Sequence, residues 1–443
     1  MQIQKYPVEK ILQNLNIREL NAMQHAAIAA ASGTNDMVLL SATGSGKTLA
    51  FLLPVLQMLS EEEKNTQALI IVPSRELAQQ IEEVFKAMGT GLKITACYGG
   101  HLRETEENNL RQPPAVIVGT PGRLADHIRR NNITVDSITT VVLDEYDKTL
   151  ELGFVDEMSF IIGSLPAVSR RILTSATEAV ELMDFLGLHE PVTIDFLPEH
   201  GTAEEKLTIQ TILSPEKDKS DTLFSLLCYL GNRPTIIFCN HRESVERTSA
   251  ILSDKGIINT FYHGGMEQQQ RDSALSRFRN GTVNFLVTTD LAARGLDIPH
   301  IRYIIHYHLP LTPDSFTHRN GRTARMDATG TAILIHSADE TLPDYIDTEH
   351  TTEIQLPDDL KLPDPPQWTT LFIAAGKKDK VNKIDIVGFL SHKGELKKED
   401  IGLIEVKDFF SFVAIRKSKA SATLQLIKQE KIKNKKVMIA VAR

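Results

Sequence analysis

Short apolar runs of β-prone residues recur along this chain, many of them followed by a glycine-containing turn and a helix-like segment. In the first part they are Met37–Leu40, Ala68–Val72, Ala115–Val118, Thr140–Leu143 and Arg171–Leu173. The pattern restarts after about residue 203 with Thr235–Phe238, Asn284–Val287, Tyr303–His306 and Ala332–Ile335. Strands alternating with helices imply parallel sheets covered on both faces, because a parallel crossover needs a helix-length connection. Two such series predict two α/β lobes joined near Leu197–Lys206. At 443 residues the chain also exceeds what one ordinary core holds.

A third region follows. Asp339–Gln367 is acidic and holds Pro343, Pro357, Pro363, Pro365 and Pro366, so its end reads as an extended, semi-rigid linker. The net charge of −8 conceals an asymmetry. From Trp368 to Arg443 there are 17 Lys and Arg against 8 Asp and Glu, whereas the first 367 residues carry 32 against 49. A small basic module attached to a large acidic body suits an anionic partner such as nucleic acid. No apolar run approaches the roughly 18–20 residues of a membrane span. The start, MQIQKYPVEK, has no signal-peptide core. Cys97, Cys228 and Cys239 lack metal-site spacing and fit a reducing, cytoplasmic setting without membrane attachment.

Two motifs carry chemistry. Met37–Leu40 runs into Ser41–Thr48, SATGSGKT, a strand, a glycine-containing loop and a helix start. Thr43, Gly44, Ser45 and Gly46 form the loop whose backbone N–H groups cradle phosphates, and the helix N-terminus adds positive potential. Lys47 then reaches the β- and γ-phosphates of ATP and Thr48 holds Mg²⁺. Ser41 stands where the formal pattern has Gly, and a bare GSGKT also arises in polar loops. The second motif, Asp144-Glu145-Tyr146-Asp147, ends the run Thr140–Leu143. Asp144 there positions Mg²⁺ and Glu145 orients or deprotonates the attacking water; the bland alternative is a solvated acidic turn.

Further elements follow in a fixed order: Gln24, Pro73–Ala78 (PSRELA), Gly99-Gly100, Thr120–Arg123 (TPGR) and Ser175–Thr177 (SAT). In the second series come Ile237–Asn240, Gln268 with Arg271, Thr289-Asp290, Ala293–Asp297 (ARGLD) and His318–Arg325 (HRNGRTAR). Together they resemble the DEAD-box RNA helicases over nearly the whole chain. Residues 368–443 resemble the RNA-binding domain of DbpA-type helicases through Gly376-Lys377-Lys378, Ile386–Gly388, Asp400–Gly402 and Lys431–Lys435.

The resemblance implies an α/β protein. Two tandem RecA-like parallel-sheet lobes (residues 1–202 and 203–350) precede an acidic proline-rich linker (351–367) and a small α+β RRM-like domain (368–443). It implies an RNA-stimulated ATPase with ATP and Mg²⁺ as cofactors. Gln24 reads adenine, and Tyr6 is the candidate to stack on it, with an N-terminal hydrophobic staple as the alternative. Gly295 and Asp297 contact the nucleotide, and Arg322 and Arg325 act on the γ-phosphate. Arg75, Gly100, Thr120, Gly122, Arg123, Gln268, Arg271 and Thr289 form an RNA track that touches sugar and phosphate. Gly99-Gly100 fits a plain strand-end turn equally, and Thr120–Gly122 a simple loop. Asp147, Ser175 and Thr177 relay between the two sites, with a helix cap as the alternative for Thr177.

In the tail, Lys377, Lys378, Lys431, Lys433 and Lys435 are candidate phosphate contacts. Phe410 and Phe412 share one strand face, open to base stacking or to packing. The family implies structured, ribosomal RNA as partner and a monomer in ribosome assembly. An ATP-gated RNA clamp with little unwinding shares every motif. The chain departs from the family at Tyr146, Asn320, Ala324, Asn434 and at Asn21-Ala22.

Overall fold

In the computed structural model the described residues are 6–33, 35–42, 44–60, 62–100, 103–177, 184–197, 207–290, 298, 301–321, 330–346 and 351–442. The chain divides into two compact units, Met1–Ala203 and Glu204–Arg294 with Ile298–Arg443.

Unit one alternates helices α1 (Val8–Leu15), α2 (Ala22–Ala31), α3 (Lys47–Met58), α4 (Arg75–Ala87), α5 (Arg103–Leu110), α6 (Pro121–Arg129), α7 (Tyr146–Glu151) and α8 (Val155–Gly163) with seven strands. The strands are β1 (Met37–Ser41), β2 (Ala68–Ile71), β3 (Ile94–Cys97), β4 (Val116–Gly119), β5 (Thr140–Leu143), β6 (Arg170–Ser175) and β7 (Val192–Phe196). They form one parallel sheet in the order β3-β4-β2-β5-β6-β1-β7. The apolar runs are continuous because both faces are buried. Met37, Leu39, Ala68 and Ile70 join the core beneath α2, α3 and α4, while Val38, Leu40, Leu69 and Ile71 join the opposite core with α6 and α8.

Unit two repeats the plan with helices α9 (Ser220–Leu230), α10 (Arg242–Asp254), α11 (Gln268–Arg279) and α12 (Pro313–Asn320). Its strands are β8 (Leu207–Ser214), β9 (Thr235–Cys239), β10 (Asn259–Tyr262), β11 (Phe285–Thr289), β12 (Tyr303–His306), β13 (Gly330–Ser337) and β14 (Thr352–Glu353), in the order β10-β11-β9-β12-β13-β8-β14. The strand β14 corrects the expected linker. Residues 351–356 begin as the edge of this sheet, with Ile354 N–H donating to Thr211 O at 2.8 Å and Ile354 and Leu356 in the lobe core.

The tail domain is RRM-like. It runs β15 (Trp368–Ile373), α13 (Lys383–His392), β16 (Ile401–Val406), β17 (Ser411–Arg416), α14 (Lys417–Ile427), a hairpin of β18 (Lys431–Ile432) and β19 (Lys435–Lys436), and β20 (Ile439–Val441). The antiparallel order is β16-β17-β15-β20. Leu371, Ile373, Val413 and Ile415 face α13 and α14 in its core. The register pairs Thr370 with Ala414, and Phe372 and Glu405 with Phe412, on the other sheet face. That face docks on the second lobe. Thr370 Oγ1 lies 3.1 Å from Asn280 Nδ2 and 2.7 Å from Thr282 Oγ1. Glu405 accepts from Ser276 Oγ at 3.0 Å and faces Arg279 Nη1 at 3.4 Å.

Candidate active site and RNA track

Sheet order decides where chemistry can sit. In a parallel sheet the loops that follow the strands emerge at one edge, the carboxyl edge. Read across unit one as β3-β4-β2-β5-β6-β1, that edge carries Gly99-Gly100, Thr120–Arg123, Arg75, Asp144–Asp147, Ser175–Thr177 and the loop ending at Lys47. The residues expected on RNA follow three adjacent strands. Those expected on ATP follow β5 and β1, and the expected relay residues Ser175 and Thr177 follow β6 between them.

In the ATP half, Gly44 (φ 83°) and Gly46 (φ 93°) take left-handed conformations that turn the loop into α3. Lys47 is buried, and its Nζ donates to Ser41 O and, at 3.1 Å, to Ala42 O, so the ammonium is held against the loop itself. Asp144 is buried and accepts from the Thr174 hydroxyl. Burial, reinforced by the charge of Glu145, pushes its carboxyl up to about 6. Glu145 caps α7 with φ 50°, a strained conformation for a residue with a side chain, and its N–H donates to Thr174 Oγ1 at 3.1 Å. Its buried Oε2 has no hydrogen-bond partner among the described residues. Both Asp147 oxygens are in the same state, with Lys148 Nζ 3.7 Å from Oδ2, and burial raises the Asp147 carboxyl. Ser175 Oγ donates to Thr177 O at 3.0 Å and accepts from Thr177 N–H at 3.1 Å, a compact turn at the end of β6.

Gln24 is seated on this loop. Asn21 caps α2 in a reciprocal box with Gln24 and donates from Nδ2 to Ser45 O at 2.9 Å. Gln24 Nε2 donates to Gly46 O at 3.2 Å. A Cβ at position 46 would lie 2.7 Å from Gln24 Nε2, so Gly is required there twice over. Asn21, a departure from the family pattern, thus ties the Gln to the phosphate loop. Tyr6 is a correction. It packs on the first core and lines a pocket with Ser60, Asn65, Lys93 and Pro113, which precede or flank the amino ends of β2, β3 and β4. That is the edge of the sheet opposite the phosphate loop, so Tyr6 as placed packs on the core and does not stand beside Gln24, the residue expected to read adenine.

In the RNA half, Ser74 caps α4 by accepting from Leu77 N–H at 3.2 Å, which starts the helix at Arg75. Gly100 has φ 99°, open to glycine and strained for other residues. Thr120 and Pro121 start α6, and Thr120 N–H donates to Cys97 O at 3.1 Å, aligning Gly122 and Arg123 beside the end of β3.

In unit two, Arg271 is buried and donates to Gln268 Oε1 at 2.6 Å, while Gln268 is half-exposed. Thr289 ends β11 half-buried. Arg319 is 1% exposed and bonds Asp290 twice, at 2.5 and 2.8 Å, together with Asn240 Oδ1 and His308 O. Sequence reasoning missed this knot, which joins three motifs, because a buried arginine reads like an exposed one. Asn320 replaces an apolar family residue and accepts from His306 Nε2 at 3.0 Å. Burial, then Arg319, lowers the His306 imidazole to about 3, so it is neutral. Thr43, Gly295, Asp297, Arg322, Ala324 and Arg325 lie outside the described residues.

Comparison with known proteins agrees with this geometry. Residues 21–185 match the DEAD/DEAH box helicase family, 218–327 the helicase conserved C-terminal domain and 370–441 the DbpA RNA binding domain. The ATP-dependent RNA helicase DbpA of Bacillus subtilis (strain 168) is 31% identical, covering 98% of this chain and 97% of that protein. The chain belongs to the DbpA-type DEAD-box RNA helicases. The Escherichia coli (strain K12) DbpA is 32% identical over 96% of this chain and 94% of its own length. S. cerevisiae Dbp5, solved bound to RNA and ADP BeF3, superimposes with a TM-score of 0.65 at 26% identity, covering 78% of this chain and 93% of that one. As a DEAD-box RNA helicase this protein is an ATPase. Among its described residues no helix is long and apolar enough to cross a membrane.

The helicase's departures from its family have physical accounts. Tyr146 is fully buried in the second core with Leu143, Met158 and Leu173, so the ring fills space where a smaller family residue leaves room. Lys433 (φ 47°) and Asn434 (φ 66°) form the two-residue turn between β18 and β19, and Asn tolerates the left-handed conformation better than most side chains. This hairpin meets the Lys377–Asp379 turn. Lys435 pairs with Asp379 at 3.0 Å and Lys433 with Asp385 at 2.9 Å, which brings exposed Lys377, Lys378, Lys431, Lys433 and Lys435 to one end of the domain. Phe412 is 1% exposed and meets Phe372 and Phe410 edge-on on the face that docks on the lobe, so as placed it packs, while Phe410 is half-exposed.

Proposed function

We propose that this helicase uses RNA-stimulated ATP hydrolysis to unwind or remodel local structure in large-subunit ribosomal RNA during ribosome assembly. The observation that carries the reading is the carboxyl edge of unit one, where an RNA-facing half and an ATP-facing half occupy adjacent strands of one sheet. Asp144–Asp147 and Ser175–Thr177 stand at the middle of that edge, where a change at either half reaches them first.

Thr48 and Asp144 offer the hard oxygen donors that Mg²⁺ takes, and a buried carboxylate with a raised pKa gains from a cation beside it. Mg²⁺, when bound, neutralises phosphate charge as it develops. Lys47 and the N–H groups of residues 43–48 hold the β- and γ-phosphates, and Gln24 meets the base. The unpartnered Glu145 Oε2 is the acceptor for the attacking water, and the water's oxygen forms the new bond to phosphorus as ADP leaves. Arg322 and Arg325 supply the positive charge of an arginine finger, with Gly295 and Asp297 against the nucleotide. Arg75, Gly100, Thr120, Gly122, Arg123, Gln268 and Thr289 take the RNA backbone.

The C-terminal domain anchors the helicase on a structured RNA through the lysine end formed by Lys377, Lys378, Lys431, Lys433 and Lys435, which stays exposed while its sheet face is docked. On this reading the enzyme works as a monomer in the cytoplasm. The test is separation of a short RNA duplex that adjoins a ribosomal RNA hairpin. ATP should support repeated separation and a non-hydrolysable analogue should not. Removal of residues 368–443 should abolish the preference for the hairpin-bearing substrate while a plain duplex still opens. Tight ATP-dependent holding without strand separation would replace this reading with an RNA clamp.

A further inference from the structure

A second buried carboxylate lies outside the ATP site, on α5. Glu106 is 1% exposed, and its surroundings connect every RNA-track element that follows β3 and β4. Oε1 accepts from the Tyr98 N–H at 2.8 Å, and Tyr98 immediately precedes Gly99-Gly100. Oε2 lies 3.4 Å from Arg123 Nη1 and 2.6 Å from His127 Nε2. The tautomer of His127 follows from its other nitrogen. Asn132 Nδ2, which also faces the Glu107 carboxylate at 3.4 Å, stands 3.1 Å from His127 Nδ1. An amide nitrogen only donates, so Nδ1 accepts and the proton sits on Nε2, directed at Glu106. Arg103 bridges the same two helices, bonding Glu107 at 2.9 Å and facing Asp126 at 3.7 Å.

We infer that Glu106 is a positioning residue for RNA binding: it fixes the plane of the Arg123 guanidinium and the approach of the Gly99-Gly100 turn before RNA arrives. This rests on the reading of Arg123 as an RNA-backbone contact. A guanidinium has five N–H donors in a rigid fork, and one carboxylate engages at most two of them. The bond to Glu106 therefore orients Arg123 without exhausting it, and its side chain keeps 14% exposure against 1% for Glu106. Preorganisation of this kind lowers the ordering cost of binding and leaves the chemical step untouched. The same atoms invite a metal reading, because ligand atoms of Cys97, Glu106 and His127 lie within 4.8 Å of one another. Protons and Arg123 already occupy those positions. Burial, then the charge of Glu106, pushes the Cys97 thiol well above its ordinary value, so the sulfur keeps its proton too.

The test is a double-mutant cycle on the full-length helicase, read as the RNA concentration that half-stimulates ATP hydrolysis and its dependence on salt. Arg123→Ala should raise that concentration roughly tenfold and flatten the logarithmic salt slope by about 0.7, the share of one phosphate contact on a single strand. Glu106→Gln keeps neutral hydrogen-bond acceptance and removes the charge; it should raise half-stimulation about three- to tenfold, with the maximal rate at saturating RNA and the KM for ATP within twofold. In the Arg123→Ala background Glu106→Gln should add less than about twofold. Glu106→Asp, which keeps the charge on a side chain one methylene shorter, should raise half-stimulation less than Glu106→Gln, and it runs the same cycle if Glu106→Gln does not fold. If Arg123→Ala leaves RNA dependence unchanged, the RNA-track reading itself fails. If Arg123→Ala weakens RNA binding while Glu106→Gln does nothing, or acts in full on top of it, the positioning role is wrong. One equivalent of zinc retained by the purified helicase and lost in His127→Phe would also overturn it.

Discussion

Two of the carboxylate groups in unit one are handled in opposite ways. Asp144, Glu145 and Asp147 sit after β5: the Asp144 and Asp147 carboxyls are raised, Glu145 and Asp147 hold oxygens without a hydrogen-bond partner among the described residues, and the backbone is left-handed at Glu145. Glu106, three strands along after β3, has both oxygens engaged by Tyr98, His127 and Arg123. Asp144, Asp147 and Glu106 are all out of water, so burial alone does not distinguish the two groups. The difference is what completes each set. A carboxylate that must receive a cation or a water is left poised at a cost to the folded state, whereas one that must hold a neighbour still is satisfied from within the fold. A third case is intermediate. Burial pushes the Glu405 carboxyl up, but Lys407, Arg279 and the Ser276 hydroxyl together outweigh it and hold it below the usual value.

Four substitutions sharpen or break that contrast. Glu145→Gln should lower ATP turnover by about 10²–10⁴-fold, the usual worth of a positioned acid-base group, with ATP affinity nearly unchanged in equilibrium binding. Glu106→Ala should cost about 3–5 kcal/mol in unit-one stability, read by denaturant unfolding, because Arg123 and His127 lose their buried partner. Asp144→Asn should do the reverse. The folded-state carboxyl lies at about 6, above its unfolded value of 3.8, so the stability of its protonated form is present below that value and lost as pH rises through about 6. At pH 7 the neutral amide should therefore stabilise unit one, by on the order of 2 kcal/mol, while ending turnover. Destabilisation by Asp144→Asn at pH 7 would break the contrast. Glu405→Gln should weaken the docking of the tail domain by about 1 kcal/mol, seen as faster amide exchange in α11 and β17. Because the Glu405 carboxyl is depressed, the same loosening should appear in the parent protein only as pH falls below the ordinary range of Glu.

Much of this was legible in residue order. SATGSGKT, DEYD and the alternation of apolar runs name the loops at a parallel sheet's edge, and strands such as β1 and β5 are continuous apolar runs because both faces are buried. Several strands that escape sequence reading have water or polar neighbours: β7 buries only Ile194, β8 exposes Thr208 and Leu213, and β10 begins at a half-exposed Asn259. Tyr6 was misplaced because sequence distance to Gln24 says nothing about which end of the sheet an N-terminal segment crosses. Glu106 was illegible for a different reason. It sits in RETEENNL, a helix that looks solvated, and only the fold shows that one of its acids faces inward. Thr370 and Glu405 likewise read as the wet face of a strand, yet they meet another domain.

The central claim is that one sheet edge serves RNA and ATP together, so that RNA on one half governs hydrolysis on the other. Steady-state ATP hydrolysis by the full-length helicase, with and without a structured ribosomal RNA fragment, tests this most directly. Turnover should be low alone and rise at least tenfold with RNA, and Arg123→Ala should shift the RNA concentration required. An ATPase rate that is the same with and without RNA would contradict it.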